Sequence, residues 1–189
     1  MNIDLTGKRV LVTGGSRGIG YALCESFASA GARVAVHYGR SREAAEQLAG
    51  RIGGGAQAFG APLDEISSTE KLFDDVLAAF GGVDVLVNNA GVAIESPISK
   101  TAIAYAADWD RTMAVNLRAS GLLSRRAIQA FRKNEPAGGR IIHIASRAAF
   151  RGDTEDFVAY AASKGGMVSM SRTIARAYGR EGITSFVIA

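Results

Sequence analysis

The chain has 189 residues, a formal net charge of +4 and 48% hydrophobic residues, which fits one globular domain with a sizeable core. Its apolar stretches are far shorter than the roughly 20 residues of a membrane-spanning helix, and its N-terminus lacks a secretory signal pattern. We therefore expect no membrane partner and a cytoplasmic protein. The basic residues form no stripe with interleaved aromatics, so we also expect no nucleic-acid partner. The single cysteine, Cys24, predicts a small core side chain and no internal disulfide.

Short β-branched runs alternate along the chain with longer segments of helical period, a pattern that indicates βαβ units and a parallel sheet. The predicted strands cover residues 9–13, 33–38, 57–60, 83–87, 140–145 and 184–188. The predicted helices cover residues 19–29, 42–52, 68–80, a long stretch that ends near Arg132, and 157–178. This alternation predicts an α/β doubly wound sheet with ligand sites at the carboxyl ends of its strands.

The first predicted strand leads into the glycine-rich segment TGGSRGIG, residues 13–20, and then into a helix. Unpaired backbone N–H groups and the dipole at such a helix N-terminus favour an anion such as a pyrophosphate. We expect Gly14 to make the tight turn, Gly18 to let phosphates approach the backbone, and Gly20 to let helix and strand pack closely. A purely structural role is the alternative, because glycine-rich turns are common.

This turn resembles that of the short-chain dehydrogenase/reductase (SDR) family, which carries Thr-Gly-x-x-x-Gly-x-Gly at this point. Four further matches follow in order: Leu63 and Asp64, the NNAG segment at 88–91, Asn116 in WDRTMAVN, and Ser146 with YAASK at 160–164. The resemblance covers the chain from Leu5 to Ala189. It implies a Rossmann-type doubly wound parallel sheet with six of the family's usual seven strands, in the order 3-2-1-4-5-6.

The resemblance also implies a nicotinamide cofactor at the carboxyl ends of the strands. Asp64 would receive the adenine amino group, and the NNAG segment would brace the sheet beside the cofactor. The expected cofactor-binding residues are Gly14, Ser16, Arg17, Gly18, Ile19, Gly20, Tyr38, Arg40, Leu63, Asp64, Asn89, Ala90, Gly91, Tyr160 and Lys164.

The segment VAVHYGRSR, residues 34–42, favours NADPH over NADH. A carboxylate after the second strand would accept from the ribose 2′-hydroxyl of NADH and repel the 2′-phosphate of NADPH. Here Tyr38 stands at the position where NAD-dependent relatives carry Asp, and Arg40 follows two residues later. Arg40 and Arg17 could hold the phosphate through charge-assisted hydrogen bonds. Alternatively, Arg40 and Arg42 form a solvated helix start.

Tyr160 and Lys164 are four residues apart on a predicted helix, so they share one face. An ordinary tyrosine exchanges protons poorly at neutral pH, but a nearby ammonium stabilises the phenolate form. By resemblance, Tyr160 is the general acid and Lys164 binds the nicotinamide ribose. Ser146 would donate a hydrogen bond to the substrate oxygen, and Asn116 would hold a water that links Lys164 to solvent. A surface stacking pair is the alternative for a tyrosine and a lysine at this spacing alone.

Two histidines and one aromatic pair receive structural interpretations. His37 and His143 lie in predicted strands, apart from any cysteine or paired acids, so we expect no metal site, with His37 near the adenine at most. Trp109 and Met113, one turn apart, are expected to be core or interface residues.

The segment between Ser146 and Tyr160 predicts a somewhat long loop, which would shape the substrate pocket together with residues 92–108. Residues 1–189 are expected to form a single NAD(P)-binding domain that stops before the family's substrate-binding C-terminal segment. Either the sequence covers part of a longer chain, or the protein is truncated. The last strand, 184–188, would then be an apolar edge.

These features together predict an NADPH-dependent oxidoreductase that reduces a carbonyl, with the strongest resemblance to 3-oxoacyl-[acyl-carrier-protein] reductases. The alternatives are an NADP-linked sugar or alcohol dehydrogenase of the same family, or a truncated nucleotide-binding protein without catalysis. The expected partners are a small-molecule or acyl-thioester carbonyl substrate and a second copy of the chain. The helices near 110–132 and 157–178 resemble those that form the family's homodimer or homotetramer.

Overall fold

The computed structural model describes residues 3–189 and contains one six-stranded parallel sheet in the order β3-β2-β1-β4-β5-β6. Its strands are β1 (Arg9–Val12), β2 (Arg33–Tyr38), β3 (Gln57–Gly60), β4 (Val85–Asn88), β5 (Gly139–Ile144) and β6 (Ile183–Ile188). The predicted fold class and strand order are therefore confirmed.

Seven α-helices connect the strands of the described chain: α1 (Gly18–Ser29), α2 (Arg42–Ile52), α3 (Ile66–Phe80), α4 (Ala102–Met113), α5 (Ala119–Phe131), α6 (Ala148–Arg151) and α7 (Val158–Tyr178). A π-helical segment, Ala114–Arg118, joins α4 to α5. Single 3-10 turns at Glu155–Phe157 and Gly179–Glu181 flank α7. None of the helices within residues 3–189 has the length and hydropathy required to cross a bilayer.

The sheet is buried by a separate apolar layer on each face, as expected for parallel strands that read as nearly continuous hydrophobic runs. On one face, the layer formed with α3, α5 and α7 contains Leu11, Phe73, Leu123, Phe131 and Ile141, among others. On the other, strand side chains such as Val12 and Val36 pack against Cys24 and Leu48 of α1 and α2. The predicted core position of Cys24 is confirmed, and burial followed by the nearby Glu25 charge raises the pKa of its thiol to about 12.

The strand order reverses between β1 and β4, which pair in register from Val10 with Val85 to Val12 with Val87. β1 leads out to β2 and β3 on one side, whereas β4 leads to β5 and β6 on the other. A crevice therefore opens at the carboxyl ends of β1 and β4, where α/β sheets of this type bind their ligands.

The structure corrects two expectations about connecting segments. The segment between Ser146 and Tyr160 is not a plain loop, because it contains α6 and a 3-10 turn. Ser146 lies two residues before α6, where its Oγ accepts from the N–H of Ala148 at 3.2 Å and its carbonyl accepts from the N–H of Ala149 at 3.0 Å. The long helical stretch ends at Phe131, next to its predicted end near Arg132, but the π-helical segment interrupts it.

The predicted apolar edge strand is β6, which pairs only with β5 in the sheet of residues 3–189. Phe186 and Ile188 are 49% and 54% exposed. They are register partners of Ile142 and Ile144, which are half-buried. This side of β5 and β6 is therefore a partly exposed apolar sheet face.

Candidate active site

The turn after β1 is held by side chains from three strands. Thr13 Oγ1 accepts from the N–H groups of Asn89 (2.9 Å) and Ala90 (3.0 Å), which follow β4. Asn89 Nδ2 in turn donates to the carbonyls of Thr13 (2.8 Å) and Gly14 (3.1 Å). From β2, His37 Nδ1 accepts from the Gly14 N–H at 3.0 Å. The turn is therefore held at both the N–H and the carbonyl of Gly14.

The three glycines of this turn differ in their backbone conformation and in the space around them. Gly14 has a φ of +65°, and a Cβ there would approach the backbone of Ala90 to 3.0 Å. A Cβ at Gly20 would lie only 2.2 Å from the carbonyl oxygen of Gly14, so helix and turn touch at this point. Gly18, with a φ of +56°, would place a Cβ in open space, at the side from which a ligand could approach.

The N-terminus of α1 has the character of an anion site. Within residues 3–189, the N-cap residue Arg17 makes no side-chain capping hydrogen bond, and Arg17, Gly18 and Ile19 are exposed. The amides of the first helical turn therefore point towards solvent with the positive end of the helix dipole. This set of donors fits the pyrophosphate of a dinucleotide, and Ser16 lies half-buried next to it.

The end of β2 carries the residues expected to select the cofactor. The ring of Tyr38 lies over Gly60, its register partner on β3, where a Cβ would come within 2.7 Å of the phenol oxygen. Arg42 pairs with Glu46 at 2.9 Å, one turn along α2. Arg40 and Arg17 are exposed and form no ion pair with any carboxylate in residues 3–189. The solvated helix pair is thus Arg42 with Glu46, while two cations remain available to a ligand.

The segment after β3 places Leu63 in the core and leaves Asp64 exposed. Arg118 of the π-helical segment donates to the main-chain carbonyl of Asp64. The Asp64 carboxylate lies 4.0 Å from Arg111 Nε, so it is only loosely paired. Its oxygens can therefore still accept from an exocyclic amino group.

Lys164 is the most unusual charged group at the site, since it is only 3% exposed. Its Nζ donates to the carbonyl oxygen of Ile144 at 2.8 Å and lies 5.8 Å from the ring centroid of Tyr160. Burial lowers the pKa of the Lys164 ammonium to about 8. A Cβ on Gly91 would lie 3.5 Å from this Nζ, so the segment after β4 passes directly beside the ammonium.

Asn116 is fully buried, and its side-chain amide forms three hydrogen bonds. Its Oδ1 accepts from the N–H of Val92 at 2.8 Å, and its Nδ2 donates to the Val92 carbonyl at 2.9 Å and to Ser163 Oγ at 3.0 Å. Ser163 Oγ donates to the main-chain carbonyl of Tyr160 at 2.7 Å. These contacts join the segment after β4 to α7, the helix that carries Tyr160 and Lys164. They use both Nδ2 protons of Asn116 and one of the two lone pairs of its Oδ1.

Ser146 lies half-buried at the carboxyl end of β5. Its Oγ accepts one hydrogen bond, from the Ala148 N–H, so its own hydroxyl proton remains free to donate. The structure therefore places Ser146, Lys164 and Asn116 at the ends of β5 and β4, with Tyr160 one helical turn from Lys164.

Comparison with known proteins assigns the chain to a family. The family profile described as short chain dehydrogenase matches residues 8–189. The chain belongs to the short-chain dehydrogenases. It is therefore an oxidoreductase of a family that uses a nicotinamide cofactor.

Three similar proteins illustrate the range of this family. D-threitol dehydrogenase from Mycolicibacterium smegmatis is 38% identical over 182 residues, which cover 95% of this chain and 67% of that protein. The angucycline C-6 ketoreductase LanV with bound NADP is 36% identical, with a TM-score of 0.85, and the match covers 98% of this chain and 73% of LanV. The 3-ketoacyl-(acyl-carrier-protein) reductase from Brucella melitensis, complexed with NADH, is 32% identical with a TM-score of 0.85, covering 95% of this chain and 73% of that structure.

Both histidines of this short-chain dehydrogenase are buried within strands, as expected for structural residues. His143 Nδ1 lies 3.4 Å from Asn88 Nδ2, and its Nε2 has no partner within the described residues. Burial, with a smaller contribution from the Lys164 charge, lowers the pKa of His143 to about 4. Residues 3–189 contain no group of three His, Cys, Asp or Glu side chains placed to hold a metal ion.

Sequence reasoning missed three residues that organise the site. Thr13 and Ser163 occur inside the recognised motifs, but only their contacts show that they brace Asn89, Ala90 and Asn116. His37 was assigned a structural role, and the sequence contained no signal that it accepts from the glycine turn.

Proposed function

We propose that this chain is an NADPH-dependent reductase of a carbonyl, either a 3-oxoacyl thioester or a similar ketone. The observation that carries the proposal is the buried Lys164 ammonium, 3% exposed and 5.8 Å from the Tyr160 ring. A buried cation is costly to retain in a fold unless it has a task, and it favours negative charge on a neighbouring phenol oxygen. A surface stacking pair of tyrosine and lysine would leave the ammonium in water.

The catalytic roles follow from the free donors of the site. When bound, the reduced nicotinamide supplies a hydride to the carbonyl carbon. Tyr160 gives its hydroxyl proton to the carbonyl oxygen, and Ser146 donates a hydrogen bond to that same oxygen as its negative charge develops. Lys164, with donors beyond its bond to Ile144, orients the nicotinamide ribose and favours the phenolate. Asn116 holds the segment after β4 in place through Val92.

The cofactor is proposed to lie across the carboxyl ends of β1 and β4. The pyrophosphate is held by the glycine turn with Gly14 and Ser16 and by the first turn of α1 with Gly18, Ile19 and Gly20. The adenine lies against Leu63 and Asp64, and the segment of Asn89, Ala90 and Gly91 lines the path towards Tyr160 and Lys164.

NADPH is proposed over NADH because Arg17 and Arg40 are exposed cations next to the proposed ribose site, where β2 ends on Tyr38 and not on a carboxylate. Guanidinium groups suit a phosphate because they donate in a planar, bidentate geometry. Bound NADP in LanV supports this assignment, while bound NADH in the Brucella reductase marks the competing choice. Tyr38 would cover the adenosine ribose.

A sugar-alcohol dehydrogenase linked to NADP is the second candidate function, favoured by the 38% identity to D-threitol dehydrogenase. The chemistry at Tyr160 and Lys164 would be the same in reverse, with Tyr160 accepting the proton of the alcohol. The two candidates differ in substrate and not in the proposed machinery.

We also infer association into a homodimer or homotetramer through α5 and α7, within the helices near 110–132 and 157–178. A Cβ at Gly121 of α5 would lie 3.6 Å from Met170 Sδ of α7, so the two helices touch at this point. We propose that their outer sides meet a second copy.

The proposed function is tested by following NADPH oxidation with short 3-oxoacyl thioesters, and NADP⁺ reduction with threitol, for the wild type and Tyr160→Phe. We expect Tyr160→Phe to lower kcat at least about 100-fold, the usual contribution of a positioned general acid, with nearly unchanged affinity for NADPH. Tyr178→Phe is the matched control, because Tyr178 lies on the same helix about 27 Å along its axis.

Turnover of Tyr160→Phe near the wild-type rate would refute the acid role. Activity with threitol and none with the thioesters would select the second candidate. A wild type that binds NADPH and turns over neither substrate class would instead indicate a nucleotide-binding protein.

A further inference from the structure

His37 is a buried side chain that touches two separate parts of the cofactor region. Its Nδ1 accepts from the Gly14 N–H at 3.0 Å, and its main-chain carbonyl accepts from the Gly15 N–H at 2.8 Å. One residue of β2 therefore binds two consecutive amides of the glycine turn. Asn89 binds the Gly14 carbonyl from the opposite side at 3.1 Å, so Gly14 is held at both its N–H and its carbonyl.

The second ring nitrogen of His37 reaches the segment that follows β3. Nε2 lies 3.0 Å from the carbonyl oxygen of Ala61. Because Nδ1 accepts a hydrogen bond from an amide, the ring proton must be on Nε2, which donates to Ala61. Both contacts are satisfied only by this neutral tautomer.

The surroundings of the imidazole keep it in that form. The ring is 2% exposed, and burial lowers the pKa of His37 to about 4, opposed by the hydrogen bond to Ala61. At neutral pH the ring is therefore an uncharged spacer with one acceptor and one donor. A leucine of similar size would fill the space but would leave Gly14 N–H and Ala61 carbonyl without these partners.

The two contacts connect the ends of the adenosine site. Gly14 begins the turn proposed to hold the pyrophosphate, whereas Ala61 comes two residues before Leu63 and three before Asp64, which are proposed to receive the adenine. Any movement of the turn relative to the segment after β3 would stretch one of the two hydrogen bonds. His37 thus connects the glycine turn to the segment after β3 through a ring that is buried.

We propose that His37 is a positioning residue for the cofactor, which holds the glycine turn and the segment after β3 in the binding arrangement before the cofactor enters. The proposal rests on the proposed nicotinamide-cofactor function of this crevice. It assigns His37 no contact with the cofactor, so its effect is expected on affinity and on the rigidity of the turn.

Three variants separate the contributions. His37→Asn keeps an acceptor close to the position of Nδ1 and loses the donor, His37→Gln offers an amide N–H near Nε2 and loses the acceptor, and His37→Leu loses both. Titration with NADPH measures affinity, and amide hydrogen exchange at Gly14 in the cofactor-free protein measures the hold on the turn. His143→Leu, at the chain's other buried histidine, controls for removing a buried imidazole.

At about 1 kcal/mol for each hydrogen bond, His37→Leu should weaken NADPH binding about 10- to 30-fold, and His37→Asn or His37→Gln about threefold to tenfold. Gly14 should exchange faster in His37→Leu and His37→Gln, and remain protected in His37→Asn and His143→Leu. Unchanged affinity and unchanged Gly14 protection in His37→Leu would overturn the proposal.

If His37→Leu does not fold, the comparison of His37→Asn with His37→Gln decides instead. Loss of Gly14 protection in a folded His37→Asn protein, or full protection in His37→Gln, would contradict the assigned contact. A wild type that binds neither NADPH nor NADH would count against the proposed function, while Gly14 exchange would still report on His37.

Discussion

Replacing the buried lysine by methionine should stabilise the fold while it abolishes turnover. Burial lowers the pKa of Lys164 from 10.5 to about 8, which corresponds to about 3 kcal/mol against the charged form in the folded protein. The variant also loses the hydrogen bond from Nζ to the Ile144 carbonyl, a charged bond that contributes about 2 kcal/mol. We therefore expect Lys164→Met to raise the free energy of unfolding by about 1 kcal/mol near pH 7.

The pH dependence has a definite sign. The pKa of Lys164 is lower in the folded protein than in the unfolded chain, so between about pH 8 and pH 10.5 the unfolded state binds more protons. The wild type should therefore gain about 2 kcal/mol relative to Lys164→Met as the pH rises from about 7 to about 9.5, and the order of stability should reverse. The Cys24 thiol, whose raised pKa acts in the opposite direction above its ordinary value of 9.0, is present in both proteins and cancels.

Urea unfolding followed by circular dichroism, at several pH values and without cofactor, measures this difference. Lys71→Met is the control, because it removes an exposed lysine that pairs with Asp75 at 2.6 Å and should cost less than about 0.5 kcal/mol. A constant difference between the wild type and Lys164→Met over this pH range would refute the reasoning. A Lys164→Met protein that is several kcal/mol less stable than the wild type near pH 7 would also refute it.

Two further predictions concern the cofactor and the brace behind Tyr160. The double change Arg17→Ala, Arg40→Ala should lower the NADPH over NADH preference, measured as the ratio of Kd values, by about 10- to 100-fold, whereas Arg42→Ala should leave it unchanged because Arg42 pairs with Glu46. An equal ratio of Kd values in the wild type and in the double variant would contradict this assignment. Ser163→Ala should lower kcat about tenfold with little change in KM, because Asn116 and the Tyr160 carbonyl lose their shared partner, and Ser163→Thr should restore it. A threonine variant as slow as the alanine variant would argue against a positioning hydroxyl.

The fold could be predicted because its signal is repeated along the chain. Strands buried on both faces read as short apolar runs, and helices of two or more turns separate them, which leaves few arrangements other than a doubly wound sheet. The π-helical segment was missed because one extra residue in a turn hardly alters an apolar period. The short helix α6 was missed because it has only four residues, too few to show a helical apolar period.

The site was predictable only as far as local spacing determines it. Tyr160 and Lys164 share a helix face at four residues' separation, and the glycine turn follows directly from its strand. The depth at which Lys164 lies depends on the packing of α7 against β5, which no local pattern encodes. Likewise, the pairing of His37 with Gly14 joins residues 23 positions apart, and that of Asn116 with Ser163 joins residues 47 apart.

The position of Asn116 depends on the number of residues in the π-helical segment more than on their identity. α4, this segment and α5 form one continuous helical rod over residues 102–131. An extra residue in a regular α-helix would turn everything beyond it by about 100°, but the wider turn of the π-helical segment absorbs it. Deleting one residue within Ala114–Arg118 would therefore regularise the rod and keep α4 and α5 in phase, yet it would take Asn116 out of phase with Val92 and Ser163. The irregular turn thus lets one helical rod place residues of α5 in the core and Asn116 beside the crevice.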